Sequence, residues 1–366
     1  MNPTRRSMGA QLSTLLRKPF FWGIVAIVLL LAVNVLKDPT YLAVRVNPAT
    51  GNLAGNVLDI LRASAPVLMV ALGMALVIAT AGIDLSVGSV MAVAGAVSMQ
   101  YLFVAGQPTS VRAALVAVVM SLALGAALGT ISGVLVARVG LQPFISTLVM
   151  MLAGRGLAKV ITSGQNARAT NEPFRQLANG YVFGFPVVFL LAVAIAVIVG
   201  LVVRRSALGL MIEAIGINPK ASRLAGIRPA GLLITVYAVS GMLAAIGGMF
   251  AVSTVMVVDV SQTGYQMELD AILAVVIGGT SLAGGKFSLG GAAVGALLIA
   301  TLDKTVLFLG VPSSATPAFK AVVIVVLCLL QSERVRGLLR LRRTARVTVP
   351  EPTEPRPAEP KASVTA

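Results

Sequence analysis

Apolar residues run through this chain in long blocks, separated by short polar breaks. A bilayer-crossing helix needs about 20 mainly apolar residues. About ten blocks approach that length: 19–36, 66–82, 85–105, 113–138, 142–163, 185–203, 231–255, 269–284, 288–309 and 317–331. The pattern predicts an all-α polytopic membrane protein with about ten transmembrane helices. The third and eighth blocks are the weakest, being short of apolar length or rich in Gly. The first follows Arg5, Arg6, Arg17 and Lys18, as a signal peptide would. Its exit, Lys37-Asp38-Pro39-Thr40-Tyr41, lacks a small-residue cleavage pattern, so it reads as the first span.

Composition narrows the choice. Of 366 residues, 57% are hydrophobic and 11% charged, against about 25% charged in soluble domains. That excludes a water-soluble globule and a disordered chain. The net charge of +16 raises the question of nucleic acid, but the cations sort by side. With the N-terminus inside and ten spans threaded, 19 of the 29 Lys and Arg fall on the inner side and six on the outer. This is the positive-inside pattern of an N-in, C-in protein. It points to contact with the lipid bilayer and its anionic headgroups and to no nucleic-acid partner. Residues 1–18 read as a cytoplasmic N-terminus. Residues 336–366, which end in the proline-rich VTVPEPTEPRPAEPKASVTA, read as a disordered cytoplasmic tail.

Catalytic chemistry is scarce. There is no histidine, which removes His-based triads, proton relays and zinc ligation. The single cysteine, Cys328, lies in an apolar run and forms no intrachain disulfide. The nearest approach to a phosphate loop is GGTSLAGGKFS (278–288). Thr280 stands where the first Gly belongs, and Phe287 follows Lys286. The chain thus carries no ATP site and no cofactor motif; it borrows energy or runs on a gradient.

The longest inner loop, RRSALGLMIEAIGINPKASRLAGIRPA (204–230), has internal order. Asn218 is a good N-cap and Pro219 suits the first helical position. Gly226 suits the closing left-handed residue. Between them Ala221, Leu224 and Ala225 share one face of a two-turn helix. Such a helix either rests on the membrane surface or docks into a groove on a cytoplasmic partner.

Four blocks bring a resemblance into view: IEAIGINPKASRLAGI in that loop, TAGIDLSVGSVMAVAGAV (Thr80–Val97), GVLVARVGLQPFISTLVMMLAGRGLA (Gly133–Ala158) and ELDAILAVVIGGTSLAGGKFSLGGAAVGALL (Glu268–Leu298). In order and spacing they resemble the ribose/xylose/galactose class of ABC sugar importer permeases over roughly residues 55–335, with GMALVIATAGIDLSVG, MLAGRGLAKVITSGQ and LGLMIEAIGIN most similar to galactofuranose importer permeases. The resemblance implies a transmembrane permease domain at 19–335. It implies an ABC ATPase subunit with two nucleotide-binding domains, a periplasmic sugar-binding protein and a second permease subunit, identical or sister, as partners. It also makes 204–230 the coupling loop, with Glu213, Gly216, Asn218, Pro219, Ala221, Leu224 and Gly226 taking up the ATPase motion.

Polar residues near or inside spans are candidates for the translocation path, because a charge at mid-bilayer costs at least about 2.5–3.5 kcal/mol. Asp84 either lines an inner gate or caps the next helix. Gln142 opens the fifth span. Glu268 and Asp270 open the eighth, beside Gln262, Tyr265 and Gln266, which suit sugar hydroxyls and ring faces. Asp303 and Lys304, as neighbours in sequence, cannot face each other and need partners elsewhere. Arg155 and Lys159 share a helix face and are expected to snorkel to headgroups. The glycines of 125–133 and 290–296 are expected to serve helix packing. GIDLSVGS (82–89) and GKFSLGG (285–291) echo each other weakly as two inner corners.

Two rival readings remain from the residues. A gradient-driven secondary transporter needs an ionisable relay in the membrane. A membrane enzyme acting on lipid-linked sugar has support from Glu268 and Asp270 alone. Neither the sugar nor the identity of the second permease subunit follows from the sequence.

Overall fold

A computed structural model describes residues 19–46, 48 and 51–331. The expected N-terminal segment 1–18 and tail 336–366 lie outside the described residues. The helices are α1 (Pro19–Lys37), α2 (Asn56–Ala79), α3 (Val87–Ala105), α4 (Val111–Val134, extended by a π-helical turn Leu135–Val139), α5 (Pro143–Ile161), α6 (Glu172–Asn179), α7 (Val187–Arg205), α8 (Leu208–Ile217), α9 (Pro219–Leu224), α10 (Pro229–Val255), α11 (Met267–Ile277), α12 (Leu289–Leu309) and α13 (Thr316–Gln331). Two-residue antiparallel strands staple loops: β1 (Arg45–Val46) to β2 (Leu53–Ala54), β3 (Ala167–Arg168) to β6 (Val257–Val258), and β4 (Tyr181–Val182) to β5 (Phe185–Pro186).

Eight of these helices are long and apolar enough to cross a membrane: α1 to α5, α7, α10 and α12. The chain is an all-α polytopic membrane protein. The expected eighth and tenth spans are shorter helices, α11 of 11 residues and α13 of 16. α11 stops because Gly279 turns left-handed at φ +91. The N–H groups of Gly279 and Thr280 return to the carbonyls of Val276 and Val275, which closes the helix in a Schellman motif. α2 begins at Asn56 instead of 66 and runs on through Pro66. Its first turns carry Asp59 and Arg62, which find partners in Lys304 and Tyr181.

The core is α2, α3 and α10, flanked by α4 and α12. α3 is buried continuously from Val87 to Met99. Such density needs small residues where helices cross. A Cβ at Gly125 of α4 would come within 2.6 Å of the Gly241 carbonyl oxygen on α10, so these helices meet backbone to backbone. Gly291 and Gly295 of α12 make the same kind of approach to Gly278 and Ala274.

Loops sort to two ends. One end gathers the corner 80–86 between α2 and α3, the corner 278–288 between α11 and α12, and the segment α8–α9. There the Gly285 N–H donates to the Ala79 carbonyl at 2.9 Å. At the other end Lys37 Nζ donates to the Phe308 carbonyl at 2.9 Å. Tyr41 packs on the Phe308 ring, and Asn171 ties the start of α6 to the carbonyls of Gln107 and Ser110. The two segments that echo each other in sequence thus fall in corners that touch.

Candidate functional site

The segment between α7 and α10 holds a second helix beyond the expected one. α8, LGLMIEAIGI, is apolar enough to lie against the bundle, and Gly216 is the last residue but one of the helix. A Cβ at Gly216 would collide with the Ala79 carbonyl oxygen and lie 2.5 Å from the Gly285 nitrogen, so glycine lets α8 press on both corners at once. Glu213 lies one turn earlier and lines a crevice of about 210 Å³ with Arg204 and Phe287.

α9 forms as its residues dictate. Asn218 Oδ1 accepts from the N–H groups of Lys220 and Ala221, each at 3.0 Å, and Pro219 occupies the first turn. At the far end Gly226 sits at φ +86. Its N–H reaches the Arg223 carbonyl and the Ile227 N–H reaches that of Ser222, again a Schellman closure. The burial is the reverse of an ordinary amphipathic helix. Ser222 is buried, with its hydroxyl donating to the Asn218 carbonyl. Leu224 is 92% exposed, and Ala221 and Ala225 are exposed beside it. Among the described residues the apolar face of α9 is left largely uncovered.

The candidate path residues fall into three groups. Asp84 is buried. Oδ1 accepts from the Ser86 N–H at 3.0 Å and hydroxyl at 2.6 Å, which fixes the start of α3. Oδ2 accepts from the Ser240 hydroxyl at 2.9 Å. Ser240 lies eleven residues into α10, about 16 Å from its start at the helical rise. Asp84 therefore sits within the bundle, beside the middle of α10. The Tyr237 hydroxyl, buried beside Gly82, has no partner among the described residues.

Glu268 stands in the first turn of α11, against Gly88 in the first turn of α3. Its Oε2 is buried without a partner among the described residues. Two helix N-termini therefore meet inside the bundle, as in discontinuous-helix transporters. The segment 259–266 that leads there is held by Arg155, whose guanidinium donates to the carbonyls of Thr263 at 2.6 Å and Val260 at 3.3 Å. This corrects the expectation that Arg155 snorkels to headgroups. Backbone carbonyls on a descending loop offer it closer partners, while Lys159 one turn on is exposed.

Asp270 and Asp303 come together through a residue that the sequence did not single out. Lys320 of α13 donates to both Asp270 oxygens at 3.0 and 2.9 Å and lies 2.8 Å from Asp303 Oδ1. Lys304, the sequence neighbour of Asp303, turns away to Asp59 at 3.1 Å. Gln142 stands apart from all of these, exposed at the N-cap of α5. Ser240, Tyr237 and Lys320 carried no local signal, because each acts through a residue distant in sequence.

The arrangement offers carboxylates, hydroxyls and an arginine among apolar helices. These groups suit hydrogen-bonding to a polyhydroxylated solute. Over residues 56–330 the chain matches the family described as branched-chain amino acid transport system / permease component. It is 53% identical over 328 residues to the fructose import permease protein FruF of Bifidobacterium longum (strain NCC 2705), covering 88% of this chain and 90% of that one. It is 39% identical over 317 residues to the galactofuranose transporter permease protein YtfT of Escherichia coli (strain K12), covering 87% and 91%. It is 37% identical over 317 residues to the ribose import permease protein RbsC of the same organism, covering 85% and 93%. No solved structure matches the chain.

Proposed function

The chain belongs to the family of transport-system permease components, and from that premise we propose that it carries a monosaccharide across the bacterial inner membrane as the permease subunit of an ATP-driven importer. The observation that carries this reading is the 53% identity with a fructose import permease across nearly the whole of both chains. Fructose ranks ahead of galactofuranose as the sugar, since the galactofuranose permease is 39% identical.

In this reading a periplasmic sugar-binding protein delivers the sugar, and an ABC ATPase subunit with two nucleotide-binding domains drives the cycle. A second permease subunit, identical or sister, completes the pore. The end of the bundle bearing α8 and α9 faces the cytoplasm, with both termini on that side; the excess of Lys and Arg there supports it. The exposed apolar face of α9 suits a groove on the ATPase. Gly216 places α8 against both corners, so a displacement of α9 reaches the starts of α3 and α12 directly. Glu268, Asp270, Asp303 and Asp84, with Gln142 at the inner end, are the polar groups along the path.

The reading is tested by Asn218→Lys or Gly226→Pro in the assembled transporter. Each breaks a cap of α9 while leaving the spans intact. ATP hydrolysis should continue while sugar uptake falls by at least about tenfold, and membrane insertion should be unchanged. Uptake at the wild-type rate from both variants would refute the coupling role. Ligand screening of the partner binding protein identifies the sugar.

A further inference from the structure

A groove of about 520 Å³ opens between α9, the π-helical turn that ends α4, and the first turns of α10. Val136, Leu224, Pro229 and Leu233 are among its walls. Leu233 lies one turn inside α10 and Val136 lies in the last turn of the α4 span. The groove is therefore cut into the ends of two membrane spans, where headgroups meet acyl chains. Two cations, Lys220 and Arg223, line it, and two more, Arg138 and Arg228, adjoin the lining residues Ala137 and Pro229 along the chain. All four are exposed, and among the described residues none has a side-chain hydrogen bond or an ion pair. No aspartate or glutamate lines the groove.

Solvation alone accounts for exposed cations. It does not account for cations gathered around an apolar cleft with Leu224 standing at its lip. An apolar floor with a positive border is complementary to an amphiphile with a negative head. We propose that this groove binds an anionic phospholipid, its acyl chain against Val136 and Leu233 and its phosphate between Lys220 and Arg223. A protein arriving from the aqueous side meets α9 on Ala221 and Ala225, whereas the groove leads toward Leu233 inside the span. The bound lipid ties α9 to the bilayer, so the loop that we read as the coupling element is anchored by a headgroup as well as by its own caps.

The test is a titration of the purified full-length chain with phosphatidylglycerol, phosphatidylcholine and soluble glycerol phosphate, followed by native mass spectrometry. Phosphatidylglycerol should bind more tightly than phosphatidylcholine, and glycerol phosphate should not displace it at equal concentration. The double variant Lys220→Gln/Arg223→Gln should weaken phosphatidylglycerol by about ten- to thirty-fold, while Lys220→Arg/Arg223→Lys retains it. Equal affinity in the Gln variant and the wild type would overturn the proposal, as would equal binding of the two lipids. Displacement by glycerol phosphate would make this a soluble-phosphate site and overturn it equally. A photo-crosslinking residue at Leu233, in membranes bearing the whole transporter, tests the site without removing a charge. Capture of phosphatidylglycerol supports the proposal, and capture of another polypeptide refutes it. These readouts are lipid adducts, so they stand or fall separately from sugar uptake.

Discussion

Asp84 and the Asp270–Asp303 pair are both carboxylates set among apolar helices, and their neighbours treat them in opposite ways. Neutral donors from Ser86 and Ser240 take both oxygens of Asp84, and the residue is 1% exposed. Asp270 and Asp303 share a cation, Lys320, and the side chain of Asp303 keeps 40% of its surface exposed. Hydrogen bonds on both carboxyl oxygens are directional, so the first arrangement fastens the start of α3 to α10. The second joins α11, α12 and α13 by charge and stays within reach of water, so it can part and re-form as helices shift. The bundle thus holds one carboxylate by neutral hydroxyl and backbone donors and two by a shared cation.

Substitutions separate the two. Lys320→Met leaves two carboxylates facing each other without a cation. It should have the largest effect, a loss of about 3 kcal/mol, read as a lower melting temperature in detergent. Adding Asp270→Asn to that variant should recover part of the loss. Asp84→Asn keeps the shape but turns an amide N–H₂ toward a hydroxyl that must now reorient, and should cost about 1–3 kcal/mol. Ser240→Ala should add little in that background, as expected for groups sharing one bond. Lys304→Met breaks an ion pair whose two side chains are 29% and 49% exposed, and should cost less than about 1 kcal/mol. Equal shifts for Lys320→Met and Lys304→Met would erase the distinction between a cation shared by two carboxylates and a lone exposed pair.

Much of this was legible in the residues. Long apolar blocks mark the spans because a lipid-facing helix must be apolar along its length. Asn218, Pro219 and Gly226 mark α9 because caps are local chemistry. The end of α11 was hidden, since Gly278 and Gly279 interrupt the helix without interrupting the apolar composition of 269–284. The start of α2 was hidden for the opposite reason. Asp59, Arg62 and Pro66 look foreign to a span, and become tolerable once Lys304 and Tyr181 are in place. Asp303 plainly needed a partner, but nothing local named Lys320 on another helix. For Arg155 the nearby headgroup layer was the simplest partner; the carbonyls of Val260 and Thr263 lie over a hundred residues away in sequence.

The meeting of Gly216, Ala79 and Gly285 has a mechanical consequence. Three stretches of main chain touch there with no side chain between them to swing aside, and the Gly285–Ala79 hydrogen bond pins two of them together. A joint of that kind has no play. A pull on the tip of α8 cannot be absorbed by rotamer changes and must move both hairpin turns as a single rigid piece.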